Sequence, residues 1–359
     1  MLIWTEKEEL RKLVDLLRGK GFRVVAPVLS EGVIRYREVS HGGELPSGVA
    51  EKLSRGSYRL IEGKEGSLFS YTHGPDSPKG YLHPPLTELL RVKPDLSQEI
   101  PLPVGRFAFL ALRACDLKAL DILGRVFLGG LFVDTHYAKL REGLFVVGVN
   151  CTAPSEVCFC GDMGSGPQIS GGADLTVTEL GEGLLIRATT PAGERVLSEL
   201  KGRDPLPEEL EEEEFLIRRA TEKVMGHLKV ENLPRRLLAR LEDPRWSRVS
   251  ERCLACGSCT MVCPTCFCYE VFDEVKPDGS ESVRLRQWDV CFREGFSAIH
   301  GVPLRSSVAS RYRQWLMHKF SYWMEQFGSS GCVGCGRCIV WCPVGIDVRE
   351  SVREILNDG

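Results

Sequence analysis

Leu10, Leu13, Val14 and Leu17 recur at helical spacing behind Thr5 and Glu8 and stop at Gly19. This pattern predicts an amphipathic helix near the N-terminus, capped by a Thr5–Glu8 box. β-rich runs follow at Phe22–Val28, Tyr58–Ile61, Asp174–Thr178 and Leu184–Ala188, separated by turns with Gly and Pro. Two further runs, Phe107–Leu112 and Leu144–Val149, are apolar throughout. Strands of that kind are buried on both faces, as in a parallel sheet. Between them Asp116 is placed to N-cap a helix carrying Leu117, Leu120, Leu123 and Phe127 on one side. The segment reads β–α–β, with its two strands parallel and close together.

An acidic, helix-favouring stretch runs from Pro207 through Glu208–Glu214 to about Leu241, and its charges read as a solvated face. A boundary is placed at Pro244. Residues 1–244 are expected to form a mixed α/β domain, and 245–359 a partly helical, ferredoxin-like domain interrupted by an insertion at 264–331. That insertion predicts a hairpin (Phe267–Phe272, a turn at Pro277-Asp278-Gly279, Ser282–Trp288) and a helix at about 306–327. The helix carries Tyr312, Trp315, Leu316, Phe320, Trp323 and Phe327, which read as core.

Composition narrows the function classes. A net charge of -3 gives no electrostatic case for nucleic acid or an anionic membrane. The longest apolar stretches are too short to span a bilayer, and MLIWTEKEELRK lacks the apolar core of a signal peptide. A cytoplasmic protein is expected, so its 15 cysteines read as metal ligands or redox thiols, not disulfides. They are unevenly spread: none precedes residue 115, four lie at 115–160 and eleven at 253–342.

The last group contains an internal repeat. CLACGSCTMVCP supplies Cys253, Cys256, Cys259 and Cys263, and CVGCGRCIVWCP supplies Cys332, Cys335, Cys338 and Cys342. Both read C-x2-C-x2-C-x3-C-P, with Gly after the second cysteine. Three thiolates two residues apart can wrap one [4Fe–4S] cube, while the fourth turns away to the other cube in two-cluster ferredoxins. By that rule Cys253, Cys256, Cys259 and Cys342 hold one cluster, and Cys332, Cys335, Cys338 and Cys263 the other. A zinc knuckle needs only four ligands and does not explain the duplication. The spacing Cys259-x3-Cys263-x2-Cys266 also fits a radical-SAM cluster, but that reading strands Cys253 and Cys256.

Cys115 and Cys151 each follow one of the apolar strands, which places both at the carboxyl edge of one sheet. Cys158 and Cys160 lie in the glycine-rich loop that follows, CFCGDMGSGP. These four could hold a third [4Fe–4S] cluster, with Asp116 able to replace one ligand; buried free thiols are the alternative. Cys266, Cys268 and Cys291 are one short of a cluster set and read as structural cysteines near one. No phosphate-binding loop is present, and Gly161–Pro167 does not sit in dinucleotide-binding fashion. The seven histidines show no paired metal spacing.

Taken together, LRACDLKALDILGRVFL, VNCTAPSEVCFCGDMGSGP, CLACGSCTMVCPTCFC, RQWDVC and CVGCGRCIVWCPVGID resemble the β subunits of cytoplasmic sulfhydrogenases. They are also similar to the A subunits of anaerobic sulfite reductases. The resemblance runs from about residue 100 to the end; the Ser155-Glu156-Val157 and Gly161-Asp162 positions depart from the family's usual Gly or Thr. It implies an iron–sulfur electron-transfer subunit with no catalytic site of its own. Its partners would be a flavoprotein subunit using FAD and NAD(P)H, and either a [NiFe] hydrogenase small/large pair or a sirohaem sulfite-reductase-type subunit.

Overall fold

The computed structural model describes residues 1–357 apart from Lys229. A seven-stranded sheet is laid out, in spatial order, as Leu2–Thr5, Leu184–Ala188, Leu175–Glu179, Phe145–Val149, Arg106–Leu112, Phe22–Ser30 and Val33–Glu38. The four strands from Leu175–Glu179 to Phe22–Ser30 are mutually parallel, and antiparallel strands flank them on both sides. The two wholly apolar runs are adjacent and parallel, in register from Ala108 opposite Phe145 to Leu112 opposite Gly148. Ala111 interrupts that register with a φ of 65°, a bulge that re-aims the chain just before Arg113 and Cys115.

Each sheet face is covered by a helix. Glu8–Gly19 buries Leu10, Leu13, Val14 and Leu17 on one side. Ala114–Leu128 packs Leu117, Leu120, Leu123 and Phe127 against Phe107, Phe109 and Val146 on the other.

Both expected caps are different from their prediction. Thr5 ends a strand and donates its hydroxyl to the Lys201 carbonyl at 2.6 Å, leaving Lys7 to precede the helix without a side-chain cap. Pairing with Leu184–Ala188 takes Thr5 into the sheet. Asp116 is not an N-cap either: the helix already starts at Ala114, and Asp116 is buried in its first turn.

The acidic stretch is one helix, Pro207–Val224, followed after a break by Leu233–Leu238. Its face is not wholly solvated. Glu213 is buried and accepts the Thr178 hydroxyl at 2.5 Å and Arg187 at 3.2 Å.

A second sheet orders Tyr269–Val275, Ser282–Trp288, Leu86–Val92 and Gln98–Glu99. The expected hairpin therefore exists, starting at Tyr269, and it pairs with a strand from the first hundred residues. The aromatic helix is not regular. Val308–Met317 continues through a π-helical turn, His318–Tyr322, into Trp323–Phe327. Tyr312, Trp315, Leu316, Phe320 and Trp323 are core as expected. Among the described residues no helix is long and apolar enough to cross a membrane.

Candidate metal centres

The two repeats fold alike. Gly257 and Gly336, each following a second cysteine, have φ of 75° and 78°, a conformation that carries the loop tightly round its sulfurs and favours glycine. Equivalent backbone N–H groups point at sulfur in both copies: Ala255 to Cys253 Sγ at 3.4 Å, and Gly334 to Cys332 Sγ at 3.4 Å. Such N–H···S contacts stabilise thiolate charge and tune iron–sulfur centres.

Cys253, Cys256 and Cys259 line one cavity, joined there by Cys342 from the second copy. Cys332, Cys335 and Cys338 line another, joined by Cys263 from the first. The two cavities abut: Cys338 also borders the first and Cys259 the second. Tyr312 and Trp315 wall the first cavity, and Trp315 and Phe320 the second. The first is the outermost, since Cys256 is exposed.

A third cavity lies at the carboxyl edge of the parallel sheet. Cys115 reaches it from the first helical turn, Cys151 from the end of Phe145–Val149, and Cys158 and Cys160 from the following loop. All four are buried. Cys335 borders this cavity too, so the second and third are neighbours. The loop is fastened to the second repeat. Phe159 N–H donates to the Gly334 carbonyl at 2.8 Å, and the Ser165 hydroxyl to the Val333 carbonyl at 2.6 Å. A Cβ on Gly334 would lie 2.5 Å from the Phe159 carbonyl oxygen, so nothing larger than glycine fits.

Burial dominates the thiols' electrostatics. It pushes Cys160 and Cys332 up to about 12, and Cys115, Cys158, Cys259 and Cys338 well above the ordinary thiol range. Cys263 goes the other way: a hydrogen bond from the Cys266 thiol, aided by the Lys319 ammonium, holds it well below that range. Lys319 sits in the π-helical turn and donates to Cys263 Sγ at 3.3 Å, Thr265 Oγ1 at 2.6 Å and the Gly331 carbonyl at 3.1 Å. Burial opposes its charge, but the Cys263, Cys266 and Cys332 sulfurs outweigh this and raise it.

Asp116, expected as a spare ligand, is otherwise engaged. Its carboxylate meets the Arg337 guanidinium at 2.9 Å, at an angle outside hydrogen-bond geometry, and neither side chain touches solvent.

The donor sets fit iron–sulfur cubes: at least four sulfurs round each cavity, N–H groups on sulfurs of the two repeats, and a buried cation, Lys319, at Cys263. Among the described residues no three His, Cys, Asp or Glu side chains gather closely enough for a single ion. Cys266 lies beside Cys263, to which its thiol hydrogen-bonds, and outside the lining of the cavity that Cys259 and Cys263 share. Sequence reasoning missed Lys319 and Arg337. Only Arg337 had a signal, as a charged residue held between Gly336 and Cys338.

Residues 252–346 match the family described as a 4Fe-4S dicluster domain. The chain is 30% identical over 343 residues to the sulfhydrogenase 2 subunit beta of Pyrococcus furiosus, a match covering 93% of each chain. No solved structure matches it.

Proposed function

Because the chain belongs to the family of sulfhydrogenase β subunits, we propose that it relays electrons between a flavoprotein subunit and a catalytic subunit of hydrogenase or sulfite-reductase type. The chain is an iron–sulfur electron-transfer subunit carrying [4Fe–4S] clusters. Three clusters are proposed. Cys253, Cys256, Cys259 and Cys342 hold the first, Cys332, Cys335, Cys338 and Cys263 the second, and Cys115, Cys151, Cys158 and Cys160 the third. The chain divides near Pro244, with the third cluster in the N-terminal part and the complex in the cytoplasm.

The observation that carries this reading is the contiguity of the cavities. The first and second share Cys259 and Cys338 and the second and third share Cys335, giving one path from exposed Cys256 to the buried sheet edge. When bound, the clusters supply sites that each take up and release a single electron. The chain's own residues hold them apart from water, direct N–H groups at the sulfurs, and place the Lys319 cation where reduction adds negative charge.

Anaerobic purification with iron, sulfide and zinc analysis tests the assignment. About twelve irons per chain are expected for three clusters; about eight would remove the third, and iron-free material with stoichiometric zinc would sink the whole reading. Recovery of a flavoprotein with the native protein tests the relay.

A further inference from the structure

Two thiols outside the three cavities touch each other. Tyr269 stands opposite Trp288 in the hairpin, and one more bond, from Asp289 N–H to the Cys268 carbonyl at 3.0 Å, prolongs that ladder. The chain then turns, with Arg293 N–H donating to the Val290 carbonyl at 2.9 Å. Cys291 is thereby brought back beside Cys268, and the two thiols share a hydrogen bond. Both are half-buried, and neither lines any of the three cysteine cavities.

The pair adjoins the first candidate centre through the neighbours of Cys291. Val290 packs on the first repeat, its methyl carbons 2.8 Å from where a Cβ on Gly257 would lie, and Phe292 lines the first cavity. Lys319, in contact with Cys263, lies within electrostatic reach of both Cys268 and Cys291. Cysteines kept only as small hydrophobes have no need to meet sulfur to sulfur. Two thiols held together just beyond the open end of a hairpin can be oxidised to a disulfide with loss of two electrons and two protons.

We propose that Cys268 and Cys291 form a reversible dithiol–disulfide couple, a two-electron store set beside a path that carries electrons singly. This rests on the cluster reading above. On reduction the Sγ–Sγ bond breaks, the first and second reduced clusters each give up one electron, and each sulfur takes a proton from water. On oxidation both protons return to water, the Sγ–Sγ bond forms, and one electron passes to each oxidised cluster. No further reactant is required.

The test uses anaerobic, full-length holoprotein, poised with one-electron mediator dyes and then alkylated and mapped by mass spectrometry, with iron content and low-temperature EPR read on the same samples. Oxidised protein is expected to yield a Cys268–Cys291 cross-linked peptide, and reduced protein two alkylated cysteines. Wild type should also take up about two more electrons per chain than C291S or C268A, as a two-electron couple requires, with iron equal in all three. Full alkylation of both cysteines at every potential, with clusters intact, would overturn the couple. So would loss of about four irons in either variant, which would make these cysteines cluster ligands. Iron-free wild-type protein would sink the functional reading, and with it the couple's source of electrons.

Discussion

The repeat near the C-terminus and the cysteine set at the sheet edge solve one problem in opposite ways. In each copy of the repeat, three of the four cysteines come from one short loop, shaped by a glycine with positive φ, Gly257 or Gly336. At the sheet edge, four donors come from a helix start, a strand end and a loop, and nothing local brings them together. The first kind of site depends on loop geometry. The second depends on the whole parallel sheet being folded. Exposure follows the same division: Cys256 reaches solvent, whereas all four sheet-edge cysteines are buried.

The sharpest way to break this comparison is to remove a donor from one site. Cys332 lines only the second cavity. Cys332→Ser should lose about four irons and abolish electron transfer through the chain while the sheet-edge site keeps its own. Full iron content and an unchanged low-temperature EPR spectrum would refute that separation.

Next in size is Arg337→Met, which strands the buried Asp116 carboxylate one residue from Cys115. Removing one member of a buried ion pair costs about 3–5 kcal/mol, and replacing both with apolar groups is close to neutral. Urea denaturation should show that loss in the single variant and its recovery on adding Asp116→Leu. A single variant as stable as wild type would mean that the sheet-edge site does not lean on the pair.

His83 probes the seam between the regions. It is buried against Phe127 from one and Trp288 from the other, and burial pushes it down to about 3. The folded state therefore keeps it neutral while the unfolded chain takes a proton below its ordinary pKa of about 6.5. Stability is full above that value and is lost as pH falls towards the folded pKa, by about 2 kcal/mol at pH ~5. His83→Leu should flatten this part of the stability curve, and identical pH slopes in the two proteins would argue against the assignment. The smallest effect belongs to the hairpin's outer face, where Arg284 pairs with Asp273 in water. Arg284→Ala should leave the melting temperature and iron content unchanged.

What was legible in the sequence follows the same contrast. The repeats could be read because donors and glycines sit side by side. The convergence of Cys115 and Cys151 could be read because wholly apolar strands announce a parallel sheet. Thr5 was misassigned because strand pairing with Leu184–Ala188 outcompetes a local cap. Nothing local in Leu86–Val92 foretells its partner Ser282–Trp288, nearly two hundred residues away. Lys319 was hidden because a π-helical turn, which periodicity does not reveal, points it inward at Cys263.

The contact of Gly334 with the Phe159 main chain has a consequence for biosynthesis. The ribosome releases Cys115 through Cys160 long before it reaches residue 334, so the nascent sheet edge stays uncovered while the remainder is made. Once the last repeat docks, it covers that edge, so the four thiols there should lose their reactivity towards alkylating reagents at that step.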